Sequence, residues 1–423
     1  MNPKGYPELP SRGLAGGLRV VRRAATARAK NPSYCRRVTF PTVGVVGGGQ
    51  LARMMAPVAI NLGIKLHVLA EADDVSATTA ATYTVGDYTD YDTLAAFAET
   101  VDVVTFDHEH VPTQHLHRLE DAGVKLAPGP DALVYAQDKL VMRRKMAELG
   151  LPQPDWRAVT TFEELVAAGD EIGWPVVLKT PRGGYDGKGV WVLDSAAEAR
   201  QAKAWFNGDH PALLVEAKVD FRSELSAQIA RSTTGEAITY PVVETIQTDG
   251  VADIVKAPAP DLAKATASAA RQAAETIAHG VGVTGMLAVE LFHTPDVAPG
   301  FMINELAMRP HNTGHWTQDG AVTSQFEQHL RAVLGLPLGA TDSIVPYTVM
   351  KNYLGAENHD LYGAFPLAMS KYPAAKIHAY GKSVRPGRKI GHVNVLATDG
   401  DLDAALAAAI DAAEIIRHGT TEY

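Results

Sequence analysis

The stretch Gly285-Met286-Leu287-Ala288-Val289-Glu290-Leu291-Phe292, with Phe301-Met302-Ile303-Asn304-Glu305-Leu306 after it, decides how this 423-residue chain reads. Each segment is an apolar strand interrupted by acid: Glu290 in the first, Glu305 beside Asn304 in the second. Thr294, Pro295, Pro299 and Gly300 lie between them, so the two strands can form a hairpin. A carboxylate inside an apolar strand loses hydration and needs a compensating cation. Two carboxylates that face each other stay ionised together only around a positive ion. Hard oxygen ligands in that number suit magnesium shared with phosphate oxygens. The hairpin therefore predicts metal-assisted phosphate chemistry, with Glu290 and Glu305 as metal ligands.

Upstream, Lys179-Thr180-Pro181-Arg182-Gly183-Gly184-Tyr185-Asp186-Gly187-Lys188-Gly189 lies between two predicted strands, Pro175 to Lys179 and Val190 to Leu193. Glycines let backbone N–H groups approach phosphate oxygens, and lysines add point charge. The Gly-Lys-Ser/Thr ending of a P-loop is absent. Such a loop can close over a nucleotide; the bland alternative is a flexible hairpin tip. Leu213 to Glu216 reads as a strand whose end, to Val219, can offer backbone groups to a purine edge, with Glu224 beyond for ribose hydroxyls. Surface ion pairs explain those two glutamates equally well. After the hairpin, Arg309-Pro310-His311-Asn312-Thr313-Gly314-His315-Trp316-Thr317 concentrates hydrogen-bonding side chains on a loop, where function is common. Lys382-Ser383-Val384-Arg385-Pro386-Gly387-Arg388-Lys389 places four cations in an otherwise acidic body, which a phosphate monoester or a solvated basic turn would explain.

Near the N-terminus, Val43 to Val46 is apolar and ends in Gly47-Gly48-Gly49-Gln50-Leu51-Ala52, with Glu71 about twenty residues on. That matches a dinucleotide fingerprint and is the best evidence for an oxidoreductase, although any phosphate suits such a turn and a tight strand-to-helix turn with no ligand is the bland alternative. The predicted order is strand Val43–Val46, helix 50–62, strand 66–69, helix 94–97 and strand 101–106, a βαβ series with a parallel sheet. A helix 139–149 follows. Further on, single strands are predicted over 223–230 and 236–243, a helix over 263–279 stopped by Gly280, and a helix over 324–334. The tail reads as strands 347–352, 376–380 and 392–396 and a helix 402–416.

Bulk properties exclude several classes. The net charge of -9 argues against a nucleic-acid binder, and no apolar run approaches membrane-spanning length. The one cysteine, Cys35, cannot form an internal disulfide, which fits a reducing cytosol. Residues 1 to 40 carry nine Lys or Arg and one acid, Glu8, so the extension is +8 against -17 for the remainder. Its arginine-rich makeup is superficially like a transit peptide, but Pro3, Pro7, Pro10 and Pro32 break any helix, and it reads as a disordered extension or an upstream translation start.

Together these segments resemble the ATP-grasp superfamily, and within it the 5-(carboxyamino)imidazole ribonucleotide synthase family, the ATPase-subunit type of phosphoribosylaminoimidazole carboxylase. The resemblance runs from about Val43 to the tail; Gly47 to Met54, Gly183 to Gly189, Asn304 to Thr317 and Arg385 to His392 are its most specific pieces. It implies a mixed α/β and α+β chain: an N-terminal Rossmann-like parallel-sheet domain at 41–135, an ATP-grasp domain at 136–342, and a small β-rich C-terminal domain at 343–423. It implies that ATP, with magnesium, and bicarbonate carboxylate 5-aminoimidazole ribonucleotide in a cytoplasmic homodimer. By resemblance, Lys139 and Lys179 contact ATP phosphates under the loop Gly183, Gly184, Tyr185, Asp186, Gly187, Lys188 and Gly189. Glu216 and Val219 hold adenine, Glu224 the ribose, and Glu290 and Glu305 magnesium with Asn304 beside them. Lys179, Asp186 and Arg309 are the implied catalytic groups, with Tyr185 and Asp186 at the ribonucleotide and Asp186 near its exocyclic amine. Gly49, Gln50, Leu51, Glu109, His311 and Asn312 complete the ribonucleotide side, and Lys382, Arg385, Arg388 and Lys389 include the phosphate-binding cations. Three features depart from the family pattern. Gln247 stands where many relatives have histidine near the nucleotide, Met308 replaces a usual proline, and Asp107-His108-Glu109-His110 replaces a more apolar, glutamate-rich version. The rivals are another ligase of the superfamily, such as formate-dependent glycinamide ribonucleotide transformylase, and an NAD-dependent dehydrogenase.

Overall fold

The computed structural model describes residues 40–183, 189–208, 210–248 and 250–423. The basic extension and residues 184–188 of the glycine loop lie outside the described residues. The chain begins with β1 (Thr42–Val46), α1 (Gln50–Leu62), β2 (Lys65–Ala70), β3 (Thr82–Val85), α2 (Tyr91–Ala98), β4 (Val103–Phe106), α3 (Thr113–Asp121) and α4 (Pro130–Gln137). The four strands form a parallel sheet in the order β3-β2-β1-β4, as the βαβ pattern predicts. α1 buries Leu51, Ala52, Met55, Ala56 and Ala59, a helical stripe, and stops at Gly63 in the left-handed region (φ 70°).

Next come α5 (Lys139–Glu148), β5 (Trp156–Val159), α6 (Phe162–Ile172), β6 (Val176–Lys179), β7 (Val190–Leu193), α7 (Ala196–Ala199) and β8 (Leu213–Ala217). The strands make an antiparallel sheet, β5-β8-β6-β7, backed by Leu165 and Ala168 of α6. Asp138 caps α5 by accepting from the Leu140 and Val141 N–H groups at 3.0 and 3.1 Å. Thr180 N–H donates to the Gly189 carbonyl at 2.9 Å and closes the base of the glycine loop between β6 and β7, the predicted placement.

The remaining elements are β9 (Ser223–Arg231), β10 (Ala237–Thr239), β11 (Val243–Thr248), β12 (Val251–Ala257), α8 (Lys264–Val281), β13 (Gly285–His293), β14 (Phe301–Ala307), α9 (Thr317–Gly320) and α10 (Gln325–Val333). β15 (Tyr347–Leu354), α11 (Leu361–Lys371), β16 (Lys376–Ala379), β17 (Lys389–Ala397) and α12 (Leu402–His418) complete the chain. One large antiparallel sheet runs β14-β13-β9-β11-β12-β15-β17-β16, with β10 on β9. The tail strands thus continue this sheet through the β12–β15 pair. Two expectations need correction. The single strand over 236–243 splits at Pro241, which has no N–H to donate to a ladder. Gly280 does not stop α8: the helix runs to Val281 and ends at Gly282 (φ 68°). A Cβ on Gly280 would lie 2.8 Å from Leu149 Cδ2, so this glycine serves a close approach to the end of α5.

His329 of α10 ties the parallel sheet to the large one. Its Nδ1 accepts the Met286 N–H (3.1 Å), so Nε2 carries the proton toward Thr105 Oγ1 of β4 at 2.7 Å. Burial pushes the imidazole down from 6.5 to about 3. The unfolded histidine takes up a proton near 6.5 and the folded one resists until about 3, so its contribution is complete above 6.5 and is lost as pH falls through that window. One proton corresponds to about 1.4 kcal/mol per pH unit. Between pH 6.5 and 5.5 the wild type should therefore lose about 1 kcal/mol more stability than His329→Gln. Parallel stability–pH curves would contradict this role.

Candidate active site

The paired strands of the hairpin carry an irregularity that brings three polar side chains together. Val289 pairs with Leu306 and Leu291 with Ile303, so Glu290 alone faces both Asn304 and Glu305. This is a β-bulge, which re-aims side chains that would otherwise alternate between faces. Glu290, Asn304 and Glu305 accordingly border one cavity of about 400 Å³. Withdrawal from water raises the Glu305 pKa, but Lys139, at 3.2 Å, and Lys179 outweigh it and hold the carboxyl below its usual range. Glu290 is pushed up to about 8 by withdrawal from water and then by the charge of Glu305. His311 Nε2 lies 3.4 Å from Glu290, and burial keeps that imidazole neutral. The two acids and the Asn304 amide therefore fit a divalent cation. Among the described residues no three His, Cys, Asp or Glu side chains converge as a metal cage. The pair suits an ion that takes its other ligands from phosphate oxygens and water.

Lys179, at the end of β6, lies 2.7 Å from Glu216 Oε2 and 3.4 Å from Asn304 Oδ1. Arg143 Nε donates to the other Glu216 oxygen. Burial opposes ionisation of Glu216, but Lys179 and Arg143 overcome it and hold the carboxyl at about 2. Glu216 is 2% exposed, so the surface-ion-pair reading of this residue is wrong. Its carboxylate is committed to two cations, which leaves the main chain around it for a purine edge. The same cavity is walled by Val177, Val190, Val192, Phe221 and Phe292 and bordered by Val219, Glu224 and Gln247. Such a mix of apolar walls and few polar groups suits a nucleotide base and sugar. Among the described residues Glu224 Oε2 has no hydrogen-bond partner, and burial raises the Glu224 pKa.

Two further cavities adjoin this one. The first is bordered by Glu109, Lys139, Gly183, Glu290, Glu305 and Arg309. The other, about 530 Å³, is bordered by Gln50, Leu51, Asp107, His108, His110, Arg309, Lys382, Arg388 and Lys389. His311 borders all three. Arg309 Nε donates to Glu109 at 2.8 Å, and Lys382 Nζ donates to Gln50. Gln325 of α10 holds the His311 backbone from both sides, accepting its N–H at 2.9 Å and donating to its carbonyl at 2.8 Å.

Most sequence-predicted residues therefore converge, with exceptions. Tyr185, Asp186, Gly184, Gly187 and Lys188 lie outside the described residues. Arg385 is exposed and does not border the cationic cavity that Lys382, Arg388 and Lys389 share. Gly49 does not border these cavities either, and a Cβ there would sit 2.0 Å from Asp107 Oδ2. Asp107 Oδ1 accepts from Ala52 N–H (2.8 Å) at the start of α1, and Glu71 accepts from Gly48 N–H (3.2 Å). The positions a dinucleotide would use are filled by the protein's own carboxylates, against the dehydrogenase reading. Sequence reasoning gave no role to Arg143 or Gln325, and treated Asp107, His108 and His110 only as departures.

Comparison with known proteins gives this geometry a family. An ATP-grasp domain matches residues 144–326, a ribonucleotide synthetase preATP-grasp domain residues 40–137, and a phosphoribosylaminoimidazole carboxylase C-terminal domain residues 348–405. N5-carboxyaminoimidazole ribonucleotide synthase of Mycobacterium tuberculosis is 48% identical over 386 residues, 89% of this chain and 88% of that protein. The Bacillus subtilis enzyme is 36% identical, over 85% of this chain and 93% of its own length. The crystal structure of an ADP complex of an N5-carboxyaminoimidazole ribonucleotide synthetase matches with a TM-score of 0.81 at 36% identity, covering 89% of this chain and 97% of that one. The Aspergillus clavatus enzyme in complex with ADP and 5-aminoimidazole ribonucleotide matches at 0.79 and 30% identity, covering 89% and 99%. With an ATP-grasp fold and similarity over close to nine-tenths of its length to these enzymes, the chain belongs to the N5-carboxyaminoimidazole ribonucleotide synthase family.

Proposed function

We propose that this chain is an ATP-dependent carbon–nitrogen ligase of purine biosynthesis. It carboxylates the exocyclic amine of 5-aminoimidazole ribonucleotide with bicarbonate, through carboxyphosphate, and releases ADP and phosphate. One observation carries the reading: the apolar-walled cavity that suits a nucleotide and the cationic cavity that suits a phosphorylated substrate meet at His311, Asn312 and Lys389. Relatives solved with ADP, and with ADP and 5-aminoimidazole ribonucleotide, support it.

In this reading Lys139 and Lys179 hold the ATP phosphates beneath the loop 183–189, and the strand end from Glu216 to Val219 meets adenine. Glu224 accepts from the ribose. Glu290 and Glu305, with Asn304, would hold magnesium, which neutralises charge on the transferred phosphoryl group. Lys382, Arg388 and Lys389 anchor the ribonucleotide phosphate, and Arg309, fixed by Glu109, borders the same cavity. Bicarbonate is a poor electrophile because hydroxide is its leaving group. Attack of a bicarbonate oxygen on the γ-phosphorus expels ADP and gives carboxyphosphate. Loss of phosphate then releases carbon dioxide beside the amine, with Asp186 assigned to orient that amine or accept its proton. The site must exclude water, because carboxyphosphate hydrolyses. The reading extends to domains at 41–135, 136–342 and 343–423 and to a cytoplasmic homodimer, supported by the family resemblance and the single cysteine.

A coupled assay of ADP release tests it: release should require 5-aminoimidazole ribonucleotide and bicarbonate together. Release that instead follows formate and glycinamide ribonucleotide would overturn it. Arg388→Ala should raise KM for the ribonucleotide about tenfold and leave KM for ATP unchanged, the signature of lost ground-state binding to phosphate. An unchanged ribonucleotide KM would make Arg388 part of a solvated turn.

A further inference from the structure

Arg143 is 0% exposed, and among the described residues it borders none of the three cavities. A buried guanidinium is costly unless its donors are matched. It lies one helical turn after Lys139 on α5, so both side chains project from one face. Lys139 reaches Glu305 at 3.2 Å, and Arg143 Nη1 donates to the carbonyl of Ile303, just before Asn304, at 2.8 Å. Its Nε takes one oxygen of Glu216 on β8, while Lys179 of β6 takes the other at 2.7 Å. One helix face thus ties the glycine-loop sheet to β14 of the hairpin that carries the acidic pair.

We propose that Arg143 is a positioning residue for the reaction: by sharing the Glu216 carboxylate it keeps Lys179 aimed into the nucleotide cavity instead of captured by that acid. The charges give the reason. Two cations on one carboxylate leave a surplus positive charge, and of those two cations Lys179 is the one that borders, with Glu216, the cavity where phosphate would sit. Without Arg143, Glu216 would have Lys179 as its counter-ion in a low-dielectric interior, where the attraction is several-fold stronger than in water. The lysine would then bind its own protein in preference to substrate. The inference rests on the ATP reading above, and its test separates the two.

The measurements are ADP binding by calorimetry and steady-state KM values on the full chain. Arg143→Met should weaken ADP binding and raise KM for ATP by about thirtyfold or more, with the ribonucleotide KM within about twofold of wild type. Arg143→Met combined with Glu216→Gln is charge-balanced, and replacement of a buried ion pair by neutral residues is often tolerated. The double variant should fold and recover ATP KM to about tenfold above wild type, better than the single variant, a non-additivity that a merely structural role does not predict. Arg143→Lys, which keeps the charge, should stay within about threefold of wild type. If Arg143→Met does not fold, the double variant decides: an ATP KM still raised about thirtyfold or more there, with no acid left to capture Lys179, overturns the assignment. Wild-type enzyme that binds no ADP would remove the ATP reading and this inference with it. Wild-type enzyme that binds ADP, with folded variants that bind it equally well, would remove this inference alone.

Discussion

Glu305→Gln is expected to yield a folded protein that releases ADP about a thousandfold more slowly than wild type, a loss of about 4 kcal/mol of transition-state stabilisation. Glutamine keeps the shape of the side chain and removes the charge. The fold should tolerate this, because Glu305 makes no backbone contact that defines the hairpin: the β13–β14 register rests on main-chain pairs on either side of it. Lys179 retains Glu216 as a partner. Chemistry should not tolerate it. A divalent ion held there would need anionic oxygens from the protein, and a neutral amide would be a weak substitute. The change has a second consequence. Glu305 is one of the charges that raises the Glu290 pKa, so Glu290 should ionise more readily in the variant. Turnover should still collapse, because one carboxylate has gone from a site that offers two. Unchanged melting with turnover within about tenfold of wild type would remove Glu305 from the chemistry.

The acidic hairpin was legible because two carboxylates in apolar strands conflict with burial, and such conflicts mark function. Lys179 was legible for the same reason, as a charge ending an apolar strand. The bulge was not, because one extra residue in a ladder leaves no mark in composition or periodicity. Arg143 was invisible because its partner Glu216 is 73 positions away and its own helix reads as an ordinary basic segment. Arg385 could not be told apart from its neighbours: charge density is a property of sequence, but which of four cations borders the cavity depends on the backbone between Lys382 and Lys389. Gly280 was misread because a glycine near a helix end has two physical uses, a left-handed cap or a close approach, and the partner Leu149 decides which. The tail strands were seen individually, but their union with the large sheet rests on the pairing of Ile254 with Lys351 and its neighbours, a contact between distant segments.

Gly49→Ala should cost about 3 kcal/mol or more, seen as a melting temperature lowered by several degrees, although the substitution is among the smallest possible. The backbone at Gly49 is ordinary extended chain (φ -79°, ψ -169°), so conformation alone would admit alanine. Space would not. The added Cβ would fall 2.0 Å from Asp107 Oδ2, and Asp107 cannot retreat without giving up the Ala52 N–H at 2.8 Å. That bond satisfies one of the free donors at the start of α1. A helix that loses it also loses the fixed placement of Gln50 and Leu51, which border the cationic cavity, so the ribonucleotide KM should rise with the fall in stability. A turn that received a pyrophosphate would behave differently. There the glycine would keep room for a ligand, and alanine would weaken binding with little effect on the unliganded fold. The double variant Gly49→Ala with Asp107→Ala separates these cases. If the carboxylate is what the glycine makes room for, removing it should offset much of the cost of the added methyl group, a coupling of about 1 kcal/mol or more. Costs that simply add would mean that Gly49 and Asp107 act apart and that the protein's own carboxylate does not fill this glycine turn.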